Sequence, residues 1–236
     1  MFFNPTYLLF ALPAMLFTMW AQWQVRNAYE KFAKIRNIQG LTGFQVAQVL
    51  MRNEGLGDVR IEGIEGHLTD HYVPGERVMR LSQGSASTPS VAAMAIVAHE
   101  LGHALQDRQG YAWLRMRSGI VGFANIGSQI GSIMVFIGIL LAGASRSSGA
   151  LTIAWIGVLL FSVAVAFTLL TLPVEFNASA RAREMLTRSG LVTVEEADGV
   201  NQVLNAAALT YIAAAASAVS QLLYFIFLLG GFRKRG

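Results

Sequence analysis

Four apolar stretches without charge punctuate the chain. No charged residue occurs from Met1 to Val25, from Ser118 to Ser145, from Leu151 to Leu172 or from Gly199 to Phe232. About 20 predominantly apolar residues suffice for a helix to cross the hydrocarbon core of a bilayer. The pattern therefore predicts transmembrane helices within 1–25, two within 118–173 with Pro173 ending the second of them, and a fourth from about Ala206 to Gly230 within 206–236. Basic residues follow the first stretch (Arg26, Lys31, Lys34 and Arg36) instead of preceding it, which predicts an uncleaved first helix and not a signal peptide.

The polar portions lie between these spans, at 26–117 and 174–205. The first contains 11 of the 18 basic and 9 of the 14 acidic residues. Thr42 and Gln45 form a capping-box pattern that opens a helix ending at Glu54-Gly55. Three strand-like runs follow, Val59 to Ile64, Leu68 to Tyr72 and Arg77 to Ser82, and the Val73-Pro74-Gly75-Glu76 turn predicts a hairpin between the last two. The next helix is predicted to take Thr88 as N-cap and Pro89 as its first residue, ending near Gly110. In 174–205, Thr193 and Glu196 repeat the capping box ahead of an apolar stripe at Val200, Val203 and Leu204.

Of 236 residues, 54% are hydrophobic and only 14% charged, with a net charge of +4. That balance excludes an ordinary soluble domain. No basic run is interleaved with exposed aromatics, so nucleic acid is not an expected partner and the bilayer is. In a four-span arrangement Arg26, Lys31, Lys34, Arg36, Arg115, Arg117, Arg181, Arg183 and Arg188 fall on one side. The positive-inside rule makes that side cytoplasmic, in the cell inner or plasma membrane, although Arg146 and Arg233-Lys234-Arg235 fall opposite. Gly127 and Gly131, like the small residues of Ala206 to Ala218, provide faces for close helix packing and for a homo-oligomer. The 236 residues include no cysteine, which removes thiolate ligands and a cysteine nucleophile.

Chemistry concentrates at His99-Glu-Leu-Gly-His103. On a helix, residues four apart lie one above the other, so both imidazoles can reach one ion. Glu100, turned about 100° from His99, can reach a water on that ion without ligating it. His67 and His71 repeat the spacing, but on a strand they stand about 13 Å apart and are expected to be structural or to line a substrate cleft. Catalytic zinc commonly takes three protein ligands, His₂Glu among them. Glu175, at the exit of the third span, comes to the same membrane face as the motif helix and is the expected third ligand. Asp107 shares the motif helix's face but does not bend back toward the ion.

The succession Leu68-Thr-Asp-His-Tyr72, Val78-Met-Arg-Leu-Ser82, His99 to Asp107, Val174-Glu-Phe-Asn-Ala-Ser179 and Ala206 to Tyr211 resembles the YugP-type membrane neutral zinc metallopeptidases. More distantly it is similar to the HtpX-type membrane proteases. The resemblance implies a mainly α membrane protein of about four spans, with a small α+β zincin-like catalytic portion whose short sheet lies beside the H-E-x-x-H helix. It supports one Zn²⁺ per chain held by His99, His103 and Glu175. It further implies that Val78 to Ser82, carrying Val78 and Arg80, is the edge strand that pairs with an extended substrate.

Where YugP-like sequences carry an acidic residue two positions after the third ligand and HtpX-like ones four positions after it, this chain has Asn177 and Ser179; Asn177 is expected to support a ligand without charge. Donors for the oxyanion are sought among His71, Tyr72, Tyr111, Arg181 and Tyr211. The function expected is hydrolysis of peptide bonds in membrane-proximal or unfolded polypeptides, Glu100 acting as the base. The alternative is a zinc-containing membrane scaffold or chaperone-like protein that does not cleave. A metal transporter would need ionisable residues within its spans, and these have none.

Overall fold

The computed structural model describes residues 5–145 and 148–233. Seven helices and three strands run in the order α1 (Pro5–Ala33), α2 (Gly43–Asn53), β1 (Arg60–Ile64), β2 (His71–Val73), β3 (Val78–Ser82), α3 (Gln83–Ser87), α4 (Val91–Arg108), α5 (Ala112–Ser145), α6 (Ser148–Arg188) and α7 (Val194–Arg233). The protein is mainly helical with one small sheet. Helices α1, α5, α6 and α7 are each long and apolar enough to cross a membrane. The Arg146 loop and Lys234-Arg235, on which the sequence-based orientation disagreed, lie outside the described residues.

The chain divides into two compact units: Met1–Trp20, Met116–Leu172 and Tyr211–Gly236 in the first, Ala21–Arg115 and Pro173–Thr210 in the second. In the first, α5 and α6 pack almost backbone to backbone. A Cβ added to Gly127 would stand 2.5 Å from the Leu160 carbonyl oxygen, and one on Gly131 2.7 Å from that of Gly157. The Gly127-x-x-x-Gly131 pattern is thus an intramolecular packing face, as small residues in membrane helices allow. Phe161, Phe225 and Leu229 fill the space beside it, while Leu9, Phe123, Leu140 and Leu159 are exposed, as lipid-facing side chains must be.

The second unit is built around α4, of whose 18 residues 14 are buried. Both predicted capping boxes are present. Thr42 and Gln45 bond each other's backbone at the start of α2, and Glu196 Oε2 accepts from the Thr193 amide while Thr193 Oγ1 accepts from the Glu196 amide. Gly55 follows α2 at φ +67°, the left-handed conformation a helix stop favours.

Three expectations are corrected. Helix α4 begins two residues late, with Ser90 as N-cap accepting from the Ala93 amide, because the Pro89 carbonyl is taken by the Asn37 amide. Pro173 does not end its helix: α6 runs through it to Arg188. A proline inside a helix removes one hydrogen bond, and here the packing of α6 on α4, described below, holds the helix together past that gap. Finally, Val78 to Ser82 is not an edge strand. The sheet order is β1-β3-β2, with β1 parallel and β2 antiparallel to the buried β3, so both sides of β3 are occupied. The free edges belong to β1 and β2.

Candidate metal centre

Helices α4 and α6 cross at Gly102, in the middle of the H-E-x-x-H sequence. A Cβ on Gly102 would lie 2.5 Å from the Ala178 carbonyl oxygen, so nothing larger than hydrogen fits. Ala178 stands three residues after Glu175 and one before Ser179. The contact therefore sets the two imidazoles of α4 directly against the polar side chains of α6. Gly102→Ala is expected to push the helices apart, cost about 1–3 kcal/mol in stability and weaken zinc binding together with it. A thermal melt and a zinc titration of the variant check both.

At the crossing, His99 Nε2 lies 3.2 Å and His103 Nε2 3.4 Å from the same oxygen, Glu175 Oε2. The side chains are 12%, 10% and 2% exposed, respectively. Among the described residues this is the one cluster of three or more His, Cys, Asp or Glu side chains whose ligand atoms converge. Burial opposes protonation of His103, but the hydrogen bond and charge of Glu175, with the charge of Glu100, outweigh it and raise its pKa. Glu100 itself is buried on the same helix.

The outer nitrogens of both rings are engaged. His99 Nδ1 is 3.2 Å from Ser179 Oγ, and His103 Nδ1 is 3.0 Å from Gln106 Oε1. The orientation of Gln106 is fixed, because its amide nitrogen donates to the Val174 carbonyl at 2.8 Å and to Asn177 Oδ1 at 2.9 Å. Its oxygen must then accept, so His103 Nδ1 carries a proton; Nε2 would offer its lone pair to an ion once the proton it shares with Glu175 is displaced. Arg181 Nε also donates to Asn177 Oδ1, at 2.7 Å, placing a cation at the far end of the relay.

These donors fit zinc. A tetrahedral ion bound at about 2.0–2.1 Å has ligand-to-ligand edges of about 3.3–3.4 Å, close to the 3.2 and 3.4 Å separations from Glu175 Oε2. Held by these three residues, a zinc ion would keep a fourth position for water or substrate.

Gln106→Leu removes the partner that fixes the His103 ring and is expected to weaken zinc binding about 10- to 100-fold. Asn177→Asp keeps both acceptor contacts and is expected to bind at least as tightly as the wild type. Competition titrations against a chromophoric chelator distinguish the two.

The other predicted residues are placed as follows. Asn177 supports His103 through Gln106 and does not touch a ligand. Tyr72 donates its hydroxyl to Asp107 Oδ2 at 2.9 Å, tying β2 to the motif helix about one turn past His103 and giving Asp107 a role other than ligation. Burial, together with that hydrogen bond and the Asp107 charge, raises the Tyr72 pKa, so the hydroxyl stays a donor.

His71 opens β2, its Nδ1 on the Thr69 carbonyl oxygen, and His67 packs edge-on to Tyr29 in the preceding loop. Val78 is fully buried in β3, and Arg80 pairs with Glu62 and Glu76. Arg181 also bonds Gln109 and stacks over the Tyr111 ring, while Tyr211 lies on α7 at the start of the first unit's last segment. Sequence reasoning missed Gln106 and Gly102, while Ser179, four positions after Glu175, is found on the His99 ring. Gln106 was detectable as position i+3 from His103.

Comparison with known proteins agrees with this centre. The family described as "Putative neutral zinc metallopeptidase" matches residues 7–230. A protein of Bacillus subtilis (strain 168) named "Putative membrane protease YugP" is 40% identical over 220 residues, covering 93% of this chain and 95% of its own. No solved structure matches. A match running from the first span to the last places this chain in that neutral zinc metallopeptidase family.

Proposed function

We propose that the protein is a membrane-embedded, zinc-dependent endopeptidase acting on membrane-proximal or unfolded polypeptides. The observation that carries this reading is the convergence of His99, His103 and Glu175 on one point with Glu100 beside them on α4. A bound zinc would supply Lewis acidity and lower the pKa of water toward about 7.

The residues do the rest. His99 and His103 present Nε2 with their rings held by Ser179 and Gln106. Glu100 takes the proton of the attacking water and returns it to the leaving amine. A purely structural zinc site has no use for a carboxylate there, which favours the peptidase over the scaffold. His71 and Tyr211 are retained as candidates for stabilising the oxyanion.

An extended substrate adds to β2 in place of β3. Strand β2 is a free edge, and Tyr72 fastens it to the motif helix, so backbone pairing there would carry a peptide along α4. The basic residues flanking the spans support a site on the cytoplasmic side. The test is cleavage of a disordered polypeptide by the full chain in lipid. A chelator is expected to abolish it, and zinc but not magnesium to restore it; cleavage that survives complete metal removal would sink the proposal.

A further inference from the structure

A second site lies in the same unit, away from the metal ligands. A cavity of about 340 Å³ opens between the later half of α1 and the start of α7. Its walls are two helical stripes, Gln24, Asn27, Ala28 and Lys31 on α1 and Gln202, Asn205, Ala206 and Leu209 on α7. Ala28 and Ala206 are the small residues along these stripes, which is why the helices leave a space. No carboxylate lines it; Glu30 and Asp198, the nearest in sequence, stand outside the lining.

On the α7 wall the polarity of the lining is one-sided. Lys31 Nζ donates to Gln202 Oε1 at 3.2 Å, and Arg183 Nη2 donates to Asn205 Oδ1 at 2.6 Å. Both carboxamide oxygens are thus consumed by cations. Their NH₂ groups are left as donors with no protein acceptor among the described residues, and Lys31 makes no ion pair among those residues. Donors backed by positive charge recognise an anion rich in acceptor oxygens. The position along the chain names its source. On α1 the cavity begins just after exposed Trp20 and Trp23, the residue type that sits at headgroup depth, and beside Arg26, the first charge after the apolar span. Basic pockets between membrane helices on the cytoplasmic side bind phosphate headgroups.

We propose that this cavity holds the phosphate group of an anionic lipid, with Lys31 and the Gln202 and Asn205 amides as its donors. The lipid would join α1 to α7 at the membrane surface.

The test is native mass spectrometry of the full-length protein titrated with phosphatidylglycerol, phosphatidylcholine and inorganic phosphate. The wild type is expected to bind phosphatidylglycerol about tenfold more tightly than phosphatidylcholine. Lys31→Gln and Asn205→Asp should each remove that preference. The second is nearly isosteric and gives Arg183 a carboxylate partner, so misfolding does not explain its loss. Lys34→Gln, which removes an equal charge outside the lining, should keep the preference. Equal binding of the two lipids by the wild type, or the same loss in Lys34→Gln, overturns the site. Inorganic phosphate binding with the same sensitivity to Lys31→Gln and Asn205→Asp, without any preference between lipids, overturns the lipid as its source.

Discussion

Glu175→Ala is expected to lose zinc affinity by at least about 100-fold, the upper end of what removing even a supporting group costs. The reason is geometric. Glu175 Oε2 is the single atom that both His99 Nε2 and His103 Nε2 face, and its side chain is 2% exposed, so no water-borne ligand takes its place without rearrangement. Two histidines on one helix remain, a set below the three ligands a catalytic site needs. Zinc content after dialysis, measured beside the wild type, decides the matter. Full occupancy in the variant would remove Glu175 from the ligand set and leave its contact with the imidazoles as an ion pair alone.

Glu100→Gln separates chemistry from binding. The substitution preserves shape at a buried position and leaves all three ligands, so zinc content and thermal stability are expected to match the wild type. Peptide hydrolysis is expected to fall about 10²- to 10⁴-fold, the range for removing a general base, with the loss in kcat and not in KM. A matched loss of zinc would instead mean that Glu100 organises the metal. Undiminished turnover would transfer the proton to another group.

The sequence carried most of what is local. Capping boxes at Thr42 and Thr193, the stop at Gly55 and the four apolar spans each depend on residues within a few positions, and each is found. The H-E-x-x-H spacing likewise placed two histidines on one helical face, and Glu175, expected from the ligand count and the membrane face, is found grouped with them. Failures came where distant segments decide.

Thr88 and Ser90 are both good caps, and the choice between them is made by Asn37, some 50 residues earlier, bonding the Pro89 carbonyl. Strand β3 alternates no differently from an edge strand. Its burial comes from β1 pairing parallel to it, an alignment that needs a crossover and has no turn signal. Pro173 reads as a stop in isolation, yet α6 continues, because the next turns carry Glu175, Ala178 and Ser179 against α4. Gly102 occupies one of the two unspecified positions of H-E-x-x-H, and the 2.5 Å approach to Ala178 makes it set the distance between α4 and α6.

The most direct test of the central claim is the rate of cleavage of a disordered polypeptide by metal-stripped, lipid-reconstituted full-length protein as zinc is added back. The rate is expected to rise in proportion to bound zinc and to level off at one zinc per chain. Protein that takes up its zinc in full and cleaves nothing, across lipid compositions and pH, would contradict the account and make this centre the core of a membrane scaffold.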